Sequence, residues 1–82
     1  MHTLLFEPVT IEMKSSGEQR IIHSVEEAAE FLLIDWPARH GPTYLAAQKV
    51  CLDAMEGQQS IMDARAAFVE AAKTADIFVN GS

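Results

Sequence analysis

Few residues in this 82-residue chain could carry out chemistry, and most of them lie far apart. The side chains best suited to binding a metal are three histidines and the single cysteine: His2, His23, His40 and Cys51. None of them shows the i, i+3 or Cys-x-x-Cys spacing that brings ligands together within one element. The sequence therefore predicts no metal site and indicates no cofactor.

One short segment, residues 35–42, concentrates the remaining candidates and contains the only tryptophan and two of the three prolines. Within it, the hinge (residues 36–41) carries Trp36, Arg39 and His40. An arginine can hold a carboxylate through two parallel hydrogen bonds, so these three side chains form a candidate site for a small molecule or anion. The alternative is a solvated turn in which Trp36 closes the core. We favour the turn, because acid–base catalysis by His40 needs a positioned partner that the sequence does not supply.

Two further groups have a functional and a structural interpretation. Glu26, Glu27 and Glu30 form an acidic helix face, which is either solvated surface or a docking face for a basic partner. Cys51 lies on an apolar row, where a free cysteine usually acts as a small buried hydrophobe and not as a nucleophile. Arg65 is expected to bond to the hinge or to the first helix.

The elements that position these residues follow from local patterns. Val9 and Ile11 alternate with polar residues, which predicts a strand, and the turn around Gly17 returns it as a second strand over residues 19–23. Ser24 and Glu27 form a capping box that begins a helix. This helix should end near residue 35 or 36, because the residue before Pro37 is pushed out of the α region.

Two further helices are predicted after the hinge. The second runs from Pro42 to about residue 56, before a left-handed cap at Gly57, and the third begins at Ser60. Alanine-rich faces predict a tight antiparallel pair whose gap is filled by Phe68 or Leu52. The inner row of the second helix is Tyr44, Ala47, Cys51 and Ala54, flanked by Leu45, Leu52 and Met55. The inner row of the third helix is Ile61, Ala64, Phe68, Ala72 and Ala75.

These elements predict one small α+β domain over residues 1–82. An N-terminal β-hairpin is followed by three helices packed on one of its faces, and residues 77–79 favour a short third strand, giving the order β-β-α-α-α-β. Because a hairpin alone is marginally stable, its buried face must be covered by the helices.

Charge and cysteine content narrow the class of protein. The net charge is -6 and the six basic residues are scattered, which argues against binding of nucleic acid or of an anionic membrane. A single cysteine, no signal-peptide pattern and no long apolar run indicate a cytoplasmic protein.

The order of certain residues along the sequence also resembles that of a known family. Phe6-Glu7-Pro8-Val9, Ser24-Val25, Trp36-Pro37, Gly41-Pro42, Cys51 and Ala64-Arg65-Ala66-Ala67-Phe68 together resemble small proteins, found largely in alphaproteobacteria, catalogued as domain of unknown function 982. The resemblance spans nearly the whole chain and supports a single domain. It carries over no activity.

The function expected from these observations is a non-enzymatic module for protein interaction or regulation. The alternative is a small-molecule or anion-binding protein, or a minor enzyme, with its site at the hinge. A sheet of two or three strands leaves an open edge, so a homodimer, formed edge to edge or through an alanine face, is a further expectation.

Overall fold

A short antiparallel sheet forms one side of the molecule. The computed structural model describes residues 5–13, 16–36 and 39–80, so the predictions for His2 and Pro37 lie outside the described residues. The strands β1 (Leu5–Glu12), β2 (Gln19–Ser24) and β3 (Phe78–Asn80) are arranged in the order β2-β1-β3. Both neighbours run antiparallel to β1, with Val9 opposite Ile22 and Ile11 opposite Val79.

The hairpin follows the alternation seen in the sequence. Val9, Ile11 and Met13 are buried, and Gly17 adopts a φ of 74° in the turn, which an L side chain disfavours. Pro8 lies inside the central strand. The register shifts between Leu5 and Val9, so Pro8, which lacks an amide proton, falls where the regular ladder is interrupted.

The first helix, α1 (Val25–Glu30), continues as a π-helical turn over Phe31–Asp35. Ser24 Oγ accepts the Glu27 amide at 3.1 Å, which confirms half of the capping box. The Glu27 carboxylate was expected to accept the Ser24 amide but accepts the His23 amide at 2.6 Å. Ser24 is still part of β2, opposite Leu5, so the return bond is made one residue earlier.

The hairpin of α2 (Pro42–Met55) and α3 (Ile61–Thr74) forms the opposite side of the core. At the end of α2, Gly57 has a φ of 80° and the Gln58 amide donates to Asp53 O at 2.7 Å. Ser60 Oγ then accepts the Asp63 amide at 2.9 Å and begins α3. The glycine and serine therefore end one helix and begin the next, as predicted.

The helices lie in two layers. Helices α1 and α3 contact the strands, and α2 packs mainly on α1 and α3. Phe68 is fully buried with its ring centroid 6.0 Å from that of Phe31. Leu52, the other residue expected to fill the gap between helices, is 40% exposed, because it lies on the flank of α2. The α+β fold class is confirmed.

The end of α3 has a left-handed residue that is not glycine. Asp76 has a φ of 66°, and the Ile77 amide donates to Ala72 O at 2.9 Å. This is the bond pattern that glycine usually completes at a helix end, and Asp is one of the few other residues that tolerate it. The turn directs the chain from α3 into β3.

None of the described helices is long and apolar enough to span a membrane.

Neighbouring alanines on α2 allow the helix packing to be tested. Ala47 is fully buried and Ala46 is exposed. We expect Ala47→Leu to lower the free energy of unfolding by about 1–3 kcal/mol, because extra volume forces the packed helices apart. Ala46→Leu should stay within about 0.5 kcal/mol of the parent chain. Urea unfolding followed by circular dichroism measures both, and equal effects would contradict the packing described.

Candidate functional site

Trp36 and Arg39 of the hinge open onto a cleft between the start of α2 and the end of α3. This hinge cleft has a volume of about 330 Å³. One wall is formed by Trp36, Arg39, Thr43 and Tyr44, and the other by Ala71, Ala75 and Asp76. Its volume is at the small end of the range for ligand pockets, roughly 300–1,000 Å³.

Trp36 is held at the cleft by other aromatic rings. It follows the π-helical turn with an extended ψ of 121°, and its ring meets those of Phe31 at 5.7 Å and Tyr44 at 5.5 Å. The indole Nε1–H is buried and has no hydrogen-bond acceptor among the described residues. A buried polar group without a partner costs free energy, so this donor is available to a ligand that reaches it.

The start of α2 adds a region of positive electrostatic potential to the same wall. Gly41 provides no side-chain cap and Pro42 occupies the first turn. The first amides of any helix lack intrahelical acceptors, and here Thr43 and Tyr44 carry such amides in the first turn. Together with the helix dipole, these amides favour an anionic group at this end of the cleft.

The three hinge candidates do not all meet. Arg39 is exposed and lines the cleft, and within the described part of the chain no carboxylate lies within ion-pair distance of it. His40 stacks on Tyr44, with ring centroids 4.1 Å apart and planes 11° apart, and is not part of the cleft lining. The structure thus brings Trp36 and Arg39 together and leaves His40 outside.

A second cleft, lined by acidic side chains, lies between β2 and α1. This acidic cleft has a volume of about 300 Å³ and is lined by Arg20, Ile21, Ile22, Glu27, Glu30, Phe31 and Asp35. It contains two of the three glutamates of the predicted acidic face. Glu26 is exposed on the same helix but is not part of the lining.

Arg20 and Asp35 form an ion pair inside the acidic cleft. Arg20 Nη1 lies 2.8 Å from Asp35 Oδ2, and its guanidinium carbon lies 5.6 Å from the Phe31 ring centroid. The hydrogen bond to Asp35 raises the pKa of Arg20 above its ordinary value. Sequence reasoning did not find this pair, because fifteen residues separate its members and no local spacing signals the contact.

His23 and Arg65 each make a contact that joins neighbouring elements. His23 Nδ1 lies 3.3 Å from Glu27 Oε1, so the ring at the end of β2 faces a carboxylate of α1. Arg65 Nε donates to Glu7 O at 2.9 Å. This bond joins α3 to β1, whereas a bond to the hinge or to the first helix was expected.

Among the described residues, no group of three or more histidine, cysteine, aspartate or glutamate side chains is arranged to hold a metal ion.

Cys51 is fully buried, and its thiol contacts the Ala64 carbonyl across the helix pair at 4.0 Å. Burial raises the pKa of the thiol from 9.0 to about 11. The thiolate is the reactive form, so this environment suppresses nucleophilic chemistry. The expectation of a buried structural cysteine agrees with this position.

The reactivity of Cys51 tests this description. At pH 8 we expect the thiol in the folded chain to react with a chromogenic disulfide reagent roughly a hundredfold more slowly than in concentrated urea, because the raised pKa removes thiolate and burial blocks access. Free cysteine in the same two buffers is the control for solvent effects. Equal rates in the folded and unfolded chain would show that the thiol is accessible.

The fold defines a small α+β domain with two clefts, the hinge cleft and the acidic cleft. A family model described as a protein of unknown function (DUF982) matches residues 7–79. The chain belongs to this family, in agreement with the resemblance noted from the order of residues in its sequence. No curated protein and no solved structure matches it.

Proposed function

We propose that this chain is a non-enzymatic interaction module of the cytoplasm that binds a basic segment of a partner protein at the acidic cleft. The observation that carries the proposal is the opening of Glu27 and Glu30 into one cleft beside the exposed apolar side chain of Ile21. A cleft with these features can accept a lysine or arginine side chain and pack against its aliphatic part.

The charge of the cleft supports a basic partner. Arg20 is paired with Asp35, so the remaining negative charge comes from Glu30 and from Glu27, whose Oε1 also accepts the His23 amide. The whole chain carries a net charge of -6, which attracts a basic segment over a longer range and repels a second acidic chain.

Exposed apolar side chains next to the cleft indicate an amphipathic partner. Ile34 is 70% exposed and Leu33 is 54% exposed, and both follow Glu30 on the same helix. Leu33 lies within the π-helical turn, whose residue spacing differs from that of an α-helix and changes the direction of the side chains. A segment with basic residues in the cleft and apolar residues on Ile34 would cover both features.

A second copy of the chain is the alternative occupant that we propose for the open edge of β2. Of the described strands, only β1 pairs with β2. An open edge can add a strand from another chain, although the net charge opposes self-association at low salt. Size-exclusion chromatography with light scattering tests this arrangement, and a monomer at high micromolar concentration would eliminate it.

Charge reversal in the cleft tests the partner proposal. We expect Glu30→Lys to weaken binding of a synthetic amphipathic lysine–leucine peptide by roughly tenfold. The reason is that the attraction between residue 30 and the lysine side chains of the peptide becomes a repulsion. Glu70→Lys, which makes the same charge change on the exposed side of α3, is the matched control and should bind like the parent chain. Amide chemical-shift titration at two salt concentrations measures both.

The same variants identify a natural partner. Crosslinked capture from a native lysate should retain a partner with the parent chain and with Glu70→Lys, and lose it with Glu30→Lys. A partner that all three chains retain would show that binding takes place elsewhere. Recovery of no partner under crosslinking would count against an interaction module.

A further inference from the structure

We propose that the hinge cleft is a binding site for a small monocarboxylate that has an aromatic or branched apolar body. This site is separate from the acidic cleft and independent of the partner-binding proposal. It is built by two segments that are distant in sequence: Trp36 and Arg39 with the start of α2, and the end of α3.

The carboxylate end of the site is formed by Arg39 and the first turn of α2. Arg39 lines the cleft, and no described carboxylate occupies its guanidinium. A guanidinium presents paired donors that match the two oxygens of a carboxylate. The Trp36 side chain lines the same cleft, and its buried Nε1–H has no acceptor among the described residues. A ligand oxygen that reached this donor would remove the cost of its missing hydrogen bond.

The rest of the cleft is apolar. The rings of Trp36 and Tyr44 lie 5.5 Å apart, and Ala71 and Ala75 form the facing wall. The Tyr44 hydroxyl is already used, because it donates to Leu32 O at 2.7 Å. This part of the cleft therefore suits a ring or a branched aliphatic group and provides few hydrogen-bonding groups for a strongly hydrated ligand.

The far wall limits the charge that the ligand can carry. The carbonyl end of α3 lines the cleft at Thr74 and Ala75. This end is negative, since the C-terminal end of a helix carries a partial negative charge. A second carboxylate or a dianionic phosphate would face this wall, so the site should select for a single negative charge.

The single tryptophan makes the site straightforward to observe. In a nitrogen–proton correlation spectrum the chain has one indole Nε1–H signal, from Trp36. We expect benzoate to shift this signal in a saturable manner. Benzamide, which has nearly the same shape without the charge, and phthalate, which adds a second carboxylate, should each bind about tenfold more weakly or worse.

Two variants show whether Arg39 is responsible. Arg39→Gln should weaken benzoate binding by about tenfold, because a charge-assisted pair of hydrogen bonds is lost. Lys49→Gln removes a positive charge from α2 outside the cleft and should bind benzoate like the parent chain. Circular dichroism confirms that both variants fold.

The outcomes separate the parts of the proposal. Equal binding of benzoate and benzamide, or benzoate binding unchanged by Arg39→Gln, would overturn the carboxylate site. The absence of any saturable shift of the indole signal with all three compounds would overturn the cleft as a ligand site. Neither result depends on the response of the chain to basic peptides.

Discussion

The close contact between α2 and α3 is the constraint on which the rest of the structure depends. Ala47 and Ala54 of α2 and Ala64 and Ala72 of α3 are buried where the two helices meet. Methyl groups let two helix axes approach to the short end of the usual range of about 8–10 Å. At that separation the Phe68 ring extends beyond the helix pair and reaches Phe31 of the π-helical turn. The helix pair therefore positions the first helix as well.

The same contact determines where the hinge cleft lies. Since five residues connect α2 to α3, the start of α2 and the end of α3 lie at the same end of the helical hairpin. The hydrogen bond from Tyr44 to Leu32 O then joins the end of the first helical segment to the start of α2. Trp36 follows directly and closes this end of the core. The cleft is thus a consequence of helix packing, and its polar groups come from helix ends.

Features that depend on neighbouring residues could be predicted from the sequence, and features that depend on distant ones could not. The Ser24 cap, the positive φ of Gly57 and the end of the helix before residue 37 follow from short-range signals. The ion pair between Arg20 and Asp35 has no such signal. The exposure of Leu52 depends on how many layers cover α2, which a helical pattern alone does not specify.

The candidate site shows the same division. Trp36 and Arg39 were singled out together because they are close in the chain, and the structure places both on one cleft. The second wall comes from residues 71–76, more than thirty positions later, and could not be inferred from the spacing. His40 was grouped with them by proximity, but stacking on Tyr44 turns it away. Adjacency in sequence identified one wall only.

The two clefts share one short piece of chain. Asp35 lines the acidic cleft and Trp36 lines the hinge cleft, while Phe31 lines the acidic cleft and contacts Trp36 edge to face at 5.7 Å. Energetic coupling between two sites requires an element that both sites bias, and it acts equally in both directions. The π-helical turn lines the acidic cleft through Phe31 and Asp35, and Trp36 of the hinge cleft follows it directly. If a ligand beside Trp36 shifted this turn, it would alter the Arg20–Asp35 pair, and a partner bound at the acidic cleft would alter the affinity for that ligand by the same factor.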